Sequence, residues 1–219
     1  MSKTCPPALD KLVLRLQGIE RTRKRVESLL AANHIGIRDM DAIYAGLFTN
    51  AITGFEAFIE ELFINLLVGN SRYSNSTPRA AFKAHEVARD VILGRDQYVE
   101  WLPYERTKDR AVIFFRGGRP FSMLPTLLEE KIRHSSIIRN ALVHSSRHAK
   151  AKFEQKVISS ISLAPKEQTP IGFLRSQFRI SPVQRRFEVY TQAFIDSANF
   201  LASYRKGSIP PPKTGTSSP

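Results

Sequence analysis

Cysteine is almost missing from this chain: Cys5 is the single one in 219 residues. No intramolecular disulfide and no Cys-rich zinc site can form, so a reducing compartment is the expectation. Acidic residues are also scarce, 20 against 33 basic ones, which leaves a net charge of +13. This surplus favours a polyanionic partner, either nucleic acid or an anionic membrane face, and says nothing about fold. Uninterrupted apolar runs are lacking as well. The most apolar stretch, residues 43–68, contains Asn50, Glu56, Glu60, Glu61 and Asn65, which argues against a membrane span. Residues 1–20 carry Asp10 and Glu20 among scattered basic residues and hold no apolar core of the kind a secretory signal needs. A cytoplasmic protein with no membrane partner is expected. Only five histidines occur, without a His-Glu-x-x-His pair, a carboxylate-rich calcium loop or a glycine-rich phosphate loop. Metal and nucleoside-triphosphate chemistry therefore have no motif, and no cofactor is expected.

What the chain does have is helical periodicity over enough apolar residues, 42% with 14 Phe, to build a core. Leu9, Leu12, Leu16, Ile19, Val26 and Leu30 predict an amphipathic helix whose spacing is broken only by Arg23, with Arg15, Arg21, Lys24 and Arg25 toward solvent. A longer helix is predicted from an N-cap at Asp39 to Gly69 and Asn70, roughly 45 Å at 1.5 Å per residue. Gly46 and Gly54 lie eight residues apart on nearly one face of it. Each costs about 1 kcal/mol of helix propensity, so a close helix crossing is expected there.

Residues 71–123 read as an insertion: a loop to Pro78, a helix over 79–93, and a short strand over 111–115 that turns at Arg116-Gly117-Gly118-Arg119 as a hairpin signal. A third long helix is predicted from about Pro125 to near Ser145, with Leu124, Leu128, Ile132, Ile138 and Leu142 on its buried side. A basic segment over 147–156 and a helix to about 163 follow, then a loop or extended piece over 165–180. Ser181-Pro182-Val183-Gln184 predicts the start of a last helix, with Phe187, Tyr190, Phe194, Ala198 and Leu201 as its apolar stripe. The sum is an all-α protein: an up-and-down bundle of four to five long helices in one domain, residues 8–205, with a disordered Pro/Ser/Thr-rich tail over 206–219.

Arginine precedes histidine by five or six positions in two places, Arg79 with His85 and Arg139 with His144. With 21 Arg and 5 His, chance supplies about half an Arg-x4-His match per chain, and about one in twenty when a polar residue must follow the arginine. Ala80 fails that stricter test, whereas Asn140 passes it.

Arg139-Asn140-Ala141-Leu142-Val143-His144 resembles the Arg-polar-x-x-x-His signature of HEPN domains, all-α ribonucleases of toxin–antitoxin, phage-defence and RNA-processing systems. Phe55-Glu56-Ala57-Phe58-Ile59-Glu60-Glu61-Leu62 is similar to the second-helix pattern of several prokaryotic HEPN groups, and the resemblance spans roughly residues 8–205. The insertion is longer than a minimal HEPN bundle has and could alter access to the site. The resemblance implies a homodimer whose two motif helices form a composite cleft for metal-independent RNA cleavage, in a toxin or phage-defence effector with a cognate antitoxin as partner.

The residue chemistry agrees. RNA cleaves at its own 2′-hydroxyl when a base removes that proton, an acid protonates the departing 5′-oxygen and a cation offsets charge on the phosphorane. Histidine suits either proton role, and a planar arginine can bind two phosphate oxygens. On an ideal helix Asn140 and His144 share a face and Arg139 lies 140° from His144, so the long arginine, a frayed helix end or a partner's motif must close the geometry. One histidine per protomer for two proton transfers also favours a dimer. The candidate catalytic residues are Arg139, Asn140 and His144, with Glu56 and Ser145 as supporting groups and Arg147, Lys150, Lys152 and Lys156 as guides for an RNA backbone. His134 and His148 flank the motif, open to substrate or to solvent. Each assignment has a plainer counterpart: a helix-terminal histidine on the helix dipole, surface charges, and Glu56 on a solvated face. The alternative function is a non-catalytic helical module that binds RNA, a nucleotide or another protein.

Overall fold

The structure, a computed structural model, describes residues 7–69, 78–144 and 146–203. The expected loop over 71–77 and the tail over 206–219 lie outside the described residues. The chain is all-α: helices α1 (Pro7–Ala31), α2 (Ile37–Leu67), α3 (His85–Leu93), α4 (Tyr104–Phe114), α5 (Thr126–Val143), α6 (Arg147–Phe153), α7 (Pro170–Arg175) and α8 (Arg186–Ser203), with one two-stranded antiparallel hairpin of β1 (Gln177–Arg179) and β2 (Gln184–Arg185).

Four of these make the bundle, and residue pairs give their directions. Lys11 reaches Glu61 while Arg23 reaches Tyr44, so α1 and α2 are antiparallel. Tyr44 packs on Phe187 and Phe55 stacks on Phe194 at 5.0 Å, so α2 and α8 run parallel. Arg139 faces Glu56 whereas Val143 lies beside Gly46 and Thr49, which makes α5 antiparallel to α2. The order is therefore up-down-up-down, with α2 at the centre against α1, α5 and α8. By length and composition α2 could cross a membrane; in this fold most of its large apolar side chains, Met40, Phe48, Phe55, Phe58, Leu62, Phe63 and Leu67 among them, are buried inside the protein. Gly54 marks the α1 crossing, since a Cβ there would sit 2.7 Å from Cδ of Arg15, while Gly46 has nothing within 4 Å and takes no part in a crossing.

Several boundaries depart from expectation. Helix α2 starts at Ile37, and Asp39 sits in its first turn, where its carboxylate accepts from the Gly36 N–H at 3.0 Å instead of serving as the N-cap. It ends at Leu67, short of Gly69 and Asn70. The helix expected over 79–93 contracts to α3, because Arg79 donates its N–H to Phe114 and Phe82 donates to Leu67, so the segment before His85 is bound to its neighbours. The expected strand over 111–115 is the end of α4. Its β-prone Val112 and Ile113 are exposed, whereas Tyr104, Thr107 and Ala111 are buried at helical spacing, which decides the conformation. Gly117 and Gly118 do form a turn, both with positive φ. The hairpin lies at 177–185 instead. There Ser181 and Pro182 occupy the turn, and the last helix begins at Arg186, its first turn held by Glu188, which accepts from the Arg185 N–H at 2.8 Å.

Two interactions anchor the architecture. Phe63 on α2 gathers Trp101, Phe115 and Phe121 at 4.9–5.0 Å and Phe114 at 5.9 Å, so the insertion folds around the end of α2. At the other end Arg23, the residue that broke the apolar spacing, is only 2% exposed. It pairs with Glu20 at 2.6 Å, Glu27 at 2.7 Å and Glu188, and bonds Tyr44. Burial disfavours its charge, but the hydrogen bonds it donates to Glu20 and Tyr44 prevail and hold it protonated. Burial likewise disfavours the Glu20 carboxylate, and Arg23 prevails, lowering its pKa below the usual value.

Truncating Phe63 to Ala leaves a cavity inside the aromatic cluster and should cost about 3–5 kcal/mol in urea unfolding, with proteolytic cuts appearing first within residues 78–123. An unchanged midpoint would show that the insertion holds itself. Arg23→Met should cost about 3 kcal/mol, because three carboxylates lose their shared cation. Since the Glu20 pKa is lowered on folding, its stabilisation is present above its ordinary pKa and lost as pH falls through the folded value. Acid titration of Arg23→Met, followed by circular dichroism, should lack that part of the loss.

Candidate active site

A cavity of about 300 Å³ opens where α2, α5 and the insertion meet. Helix α5 contributes Arg139 and Asn140, α2 contributes Glu56, and His144 follows as the residue that caps α5. The 140° offset expected between Arg139 and His144 applies only if His144 is helical, and it is not. Its backbone is extended (φ −107°, ψ 120°) while its N–H still bonds the Asn140 carbonyl at 2.9 Å. The chain leaves the helix at the histidine, so a frayed helix end brings His144, Asn140 and Arg139 to one cavity within a single protomer. Arg139 donates to the Asn140 side-chain oxygen at 3.3 Å, which orients the pair.

Glu56 is half-buried rather than on a solvated face. Burial raises its carboxyl pKa, and the positive charge of Arg139 pulls the other way without cancelling the effect. The cavity thus holds a carboxyl group that takes up a proton more readily than an exposed one, beside a permanent cation and an imidazole.

The opposite wall comes from the insertion: Glu100, Leu102, Pro103 and Arg106. Arg106 is ion-paired to Glu100. This wall is held from behind, since Trp101 donates to Glu60 at 3.2 Å and Arg110 donates to the Glu100 carbonyl at 2.7 Å. Helix α4 is tied to α5 by Lys108 to Glu129 at 2.6 Å and Arg133 to Glu105 at 2.8 Å. No pattern in the sequence marks these wall residues, because only the Phe63 cluster brings their segment to the site. Ser136, by contrast, lies three and four residues before Arg139 and Asn140, and helical spacing alone could have placed it at the cavity, which it also lines.

The basic guides divide. Ser146 caps α6, accepting from the Ala149 N–H, and the chain continues into a wide turn to Ile158. Phe153 and Val157 are the buried anchors of this stretch. All four are exposed, but Lys152 and Lys156, one residue before each anchor, line a cleft adjoining the cavity, whereas Arg147 and Lys150 line neither. Ser145 lies outside the described residues. His148 is exposed, and His134 is half-buried in the adjoining cleft.

Comparisons of the chain with protein-family models, with curated proteins and with solved structures return no match. The described residues form an all-α bundle with a charged cavity between its central helix, its third long helix and an inserted wall.

Replacing Glu56 with Gln should remove a carboxylate that is costly to bury when ionised. Because its pKa is raised on folding, its contribution to stability falls as pH rises through the folded value, so at neutral pH the variant should melt about 2 °C higher. A lower melting temperature would mean that attraction to Arg139 outweighs burial.

Proposed function

We propose that the protein is a metal-independent endoribonuclease of HEPN type, which cleaves RNA by attack of a 2′-hydroxyl on the adjacent phosphate. The observation that carries this reading is the gathering of Arg139, Asn140, His144 and Glu56 on one cavity, although the four come from two helices and a helix cap. In this reading Arg139 binds the non-bridging phosphate oxygens and offsets charge in the phosphorane. His144 exchanges the proton of the 2′-hydroxyl or of the leaving 5′-oxygen. Asn140 orients Arg139, and Glu56 holds the arginine toward the phosphate. With one histidine per cavity, the second proton transfer falls to the His144 of a second copy, so the working unit is a homodimer with apposed α5 ends. The exposure of Arg139, Asn140 and His144 supports this arrangement. A toxin or phage-defence role with a cognate antitoxin follows from the same resemblance.

A second reading, a binding module without turnover, is favoured by one feature: the cavity sets two carboxylates, Glu56 and Glu100, against its two guanidinium groups, one of which is already paired. It predicts RNA binding that survives His144→Ala.

The purified protein should cleave RNA in EDTA and leave 2′,3′-cyclic phosphate ends. Arg139→Ala and His144→Ala should each lower the rate by about 10²–10³-fold or more while circular dichroism stays unchanged. Full activity in both variants would falsify the assignment, and binding without cleavage by the unsubstituted chain would favour the second reading.

A further inference from the structure

A wider cleft of about 560 Å³ adjoins the candidate site and has no part in the chemistry above. Pro103, Ser136 and Asn140 border both cavities, so the cleft lies beside the candidate site along a shared edge. Its far side carries Lys152 and Lys156, and neither forms an ion pair among the described residues. Of the other charges, Arg133 pairs with Glu105 at 2.8 Å and Glu129 at 3.6 Å, while Glu130 lies 3.7 Å from Nε2 of His134. Two free ammonium groups therefore meet an apolar surface of Pro103 and Ile137 and the flat ring of half-buried His134. Burial lowers the His134 pKa, helped by Lys131 and Arg133 and opposed by Glu130, so the ring is mostly neutral at neutral pH.

We propose that this cleft is the subsite for the nucleotide adjoining the scissile phosphate of single-stranded RNA. Lys152 and Lys156 hold the phosphate of that nucleotide, and its base lies on Pro103, Ile137 and the imidazole of His134. Paired cations beside a flat ring and apolar floor match a phosphate joined to a base, and lysine stems tolerate a moving backbone. An acidic peptide would bring no ring for the floor. The base must be unstacked to enter, which selects a single strand over a duplex. The position of this nucleotide relative to the cleaved bond rests on the ribonuclease reading, whereas its binding does not.

The test uses the full chain carrying His144→Ala, so that turnover is suppressed, and fluorescence anisotropy of a labelled RNA octanucleotide between 50 and 200 mM salt. Adding Lys152→Ala and Lys156→Ala should raise Kd about tenfold and flatten the slope of log K against log salt by about 0.7, the effect of one lost single-strand phosphate contact. Adding His134→Ala should raise Kd about fivefold with the slope unchanged, and His134→Gln should do the same where the alanine variant fails to fold. Retained affinity and slope in these variants, absence of octanucleotide binding, or equally tight binding of an RNA duplex of the same length would each overturn the subsite. The ribonuclease reading fails separately: an unsubstituted chain that never cleaves RNA but shows these binding losses keeps the subsite and loses the reaction. An active ribonuclease whose affinity ignores the three residues loses the subsite alone.

Discussion

The covering of α2 is the constraint on which the rest of the structure depends. This helix is 31 residues long and buries side chains from Met40 to Leu67. Its partners α5 and α8 are 18 residues each, about 27 Å at 1.5 Å per residue, against about 46 Å for α2. Exposed large apolar surface is unfavourable, so the unmatched end of α2 needs another cover. The insertion supplies it through Trp101, Phe115 and Phe121 around Phe63. The same covering sets the segment carrying Glu100, Pro103 and Arg106 across from α5. A packing requirement at one end of the core helix thus builds one wall of a charged cavity.

Charge is divided between structure and surface in a way that the total of +13 conceals. Arg23 is withdrawn from solvent and joins α1, α2, α8 and β2 through Glu20, Glu27, Tyr44 and Glu188, with Arg185 pairing Glu27 at 2.7 Å. Buried ion pairs contribute less net stability than their contacts suggest, because desolvation offsets attraction. What this one adds is a requirement of position, since four carboxylate and phenol groups must converge on a single guanidinium. Arg133 and Arg106 are committed to carboxylates nearby, whereas Arg139, Lys152 and Lys156 border the cavity and its adjoining cleft without a carboxylate partner within ion-pairing distance among the described residues.

Much of the bundle was legible because its signal is local. Apolar residues three and four apart located α1, α2, α5 and α8, and the Arg-x4-His spacing pointed to the candidate residues on α5. Where local signals misled, a long-range contact had overridden them. The β-prone Val112 and Ile113 became helix because Thr107 and Ala111 are buried, and the helix signal before His85 failed because Arg79 and Phe82 bond to other segments. Ser181 and Pro182 fit a helix start equally well as a hairpin turn, and Glu188 settled the matter by fastening the first turn of α8 at Arg186. Arg23 looked like a flaw in the apolar stripe because its compensating acids lie partly on α8, 165 residues away.

The sequence by itself determined the class of fold and the central helix and singled out Arg139, Asn140 and His144 as candidates, since periodicity and motif spacing are properties of neighbouring positions. Tertiary structure alone decided that His144 leaves the helix to join Arg139, that Glu56 faces them half-buried, and that residues 100–106 close the cavity. It also separated Lys152 and Lys156 from Arg147 and Lys150, because the buried anchors Phe153 and Val157 fix which side of that segment faces the cleft. Burial depends on what covers a residue, and the covering segments here lie tens of residues away along the chain.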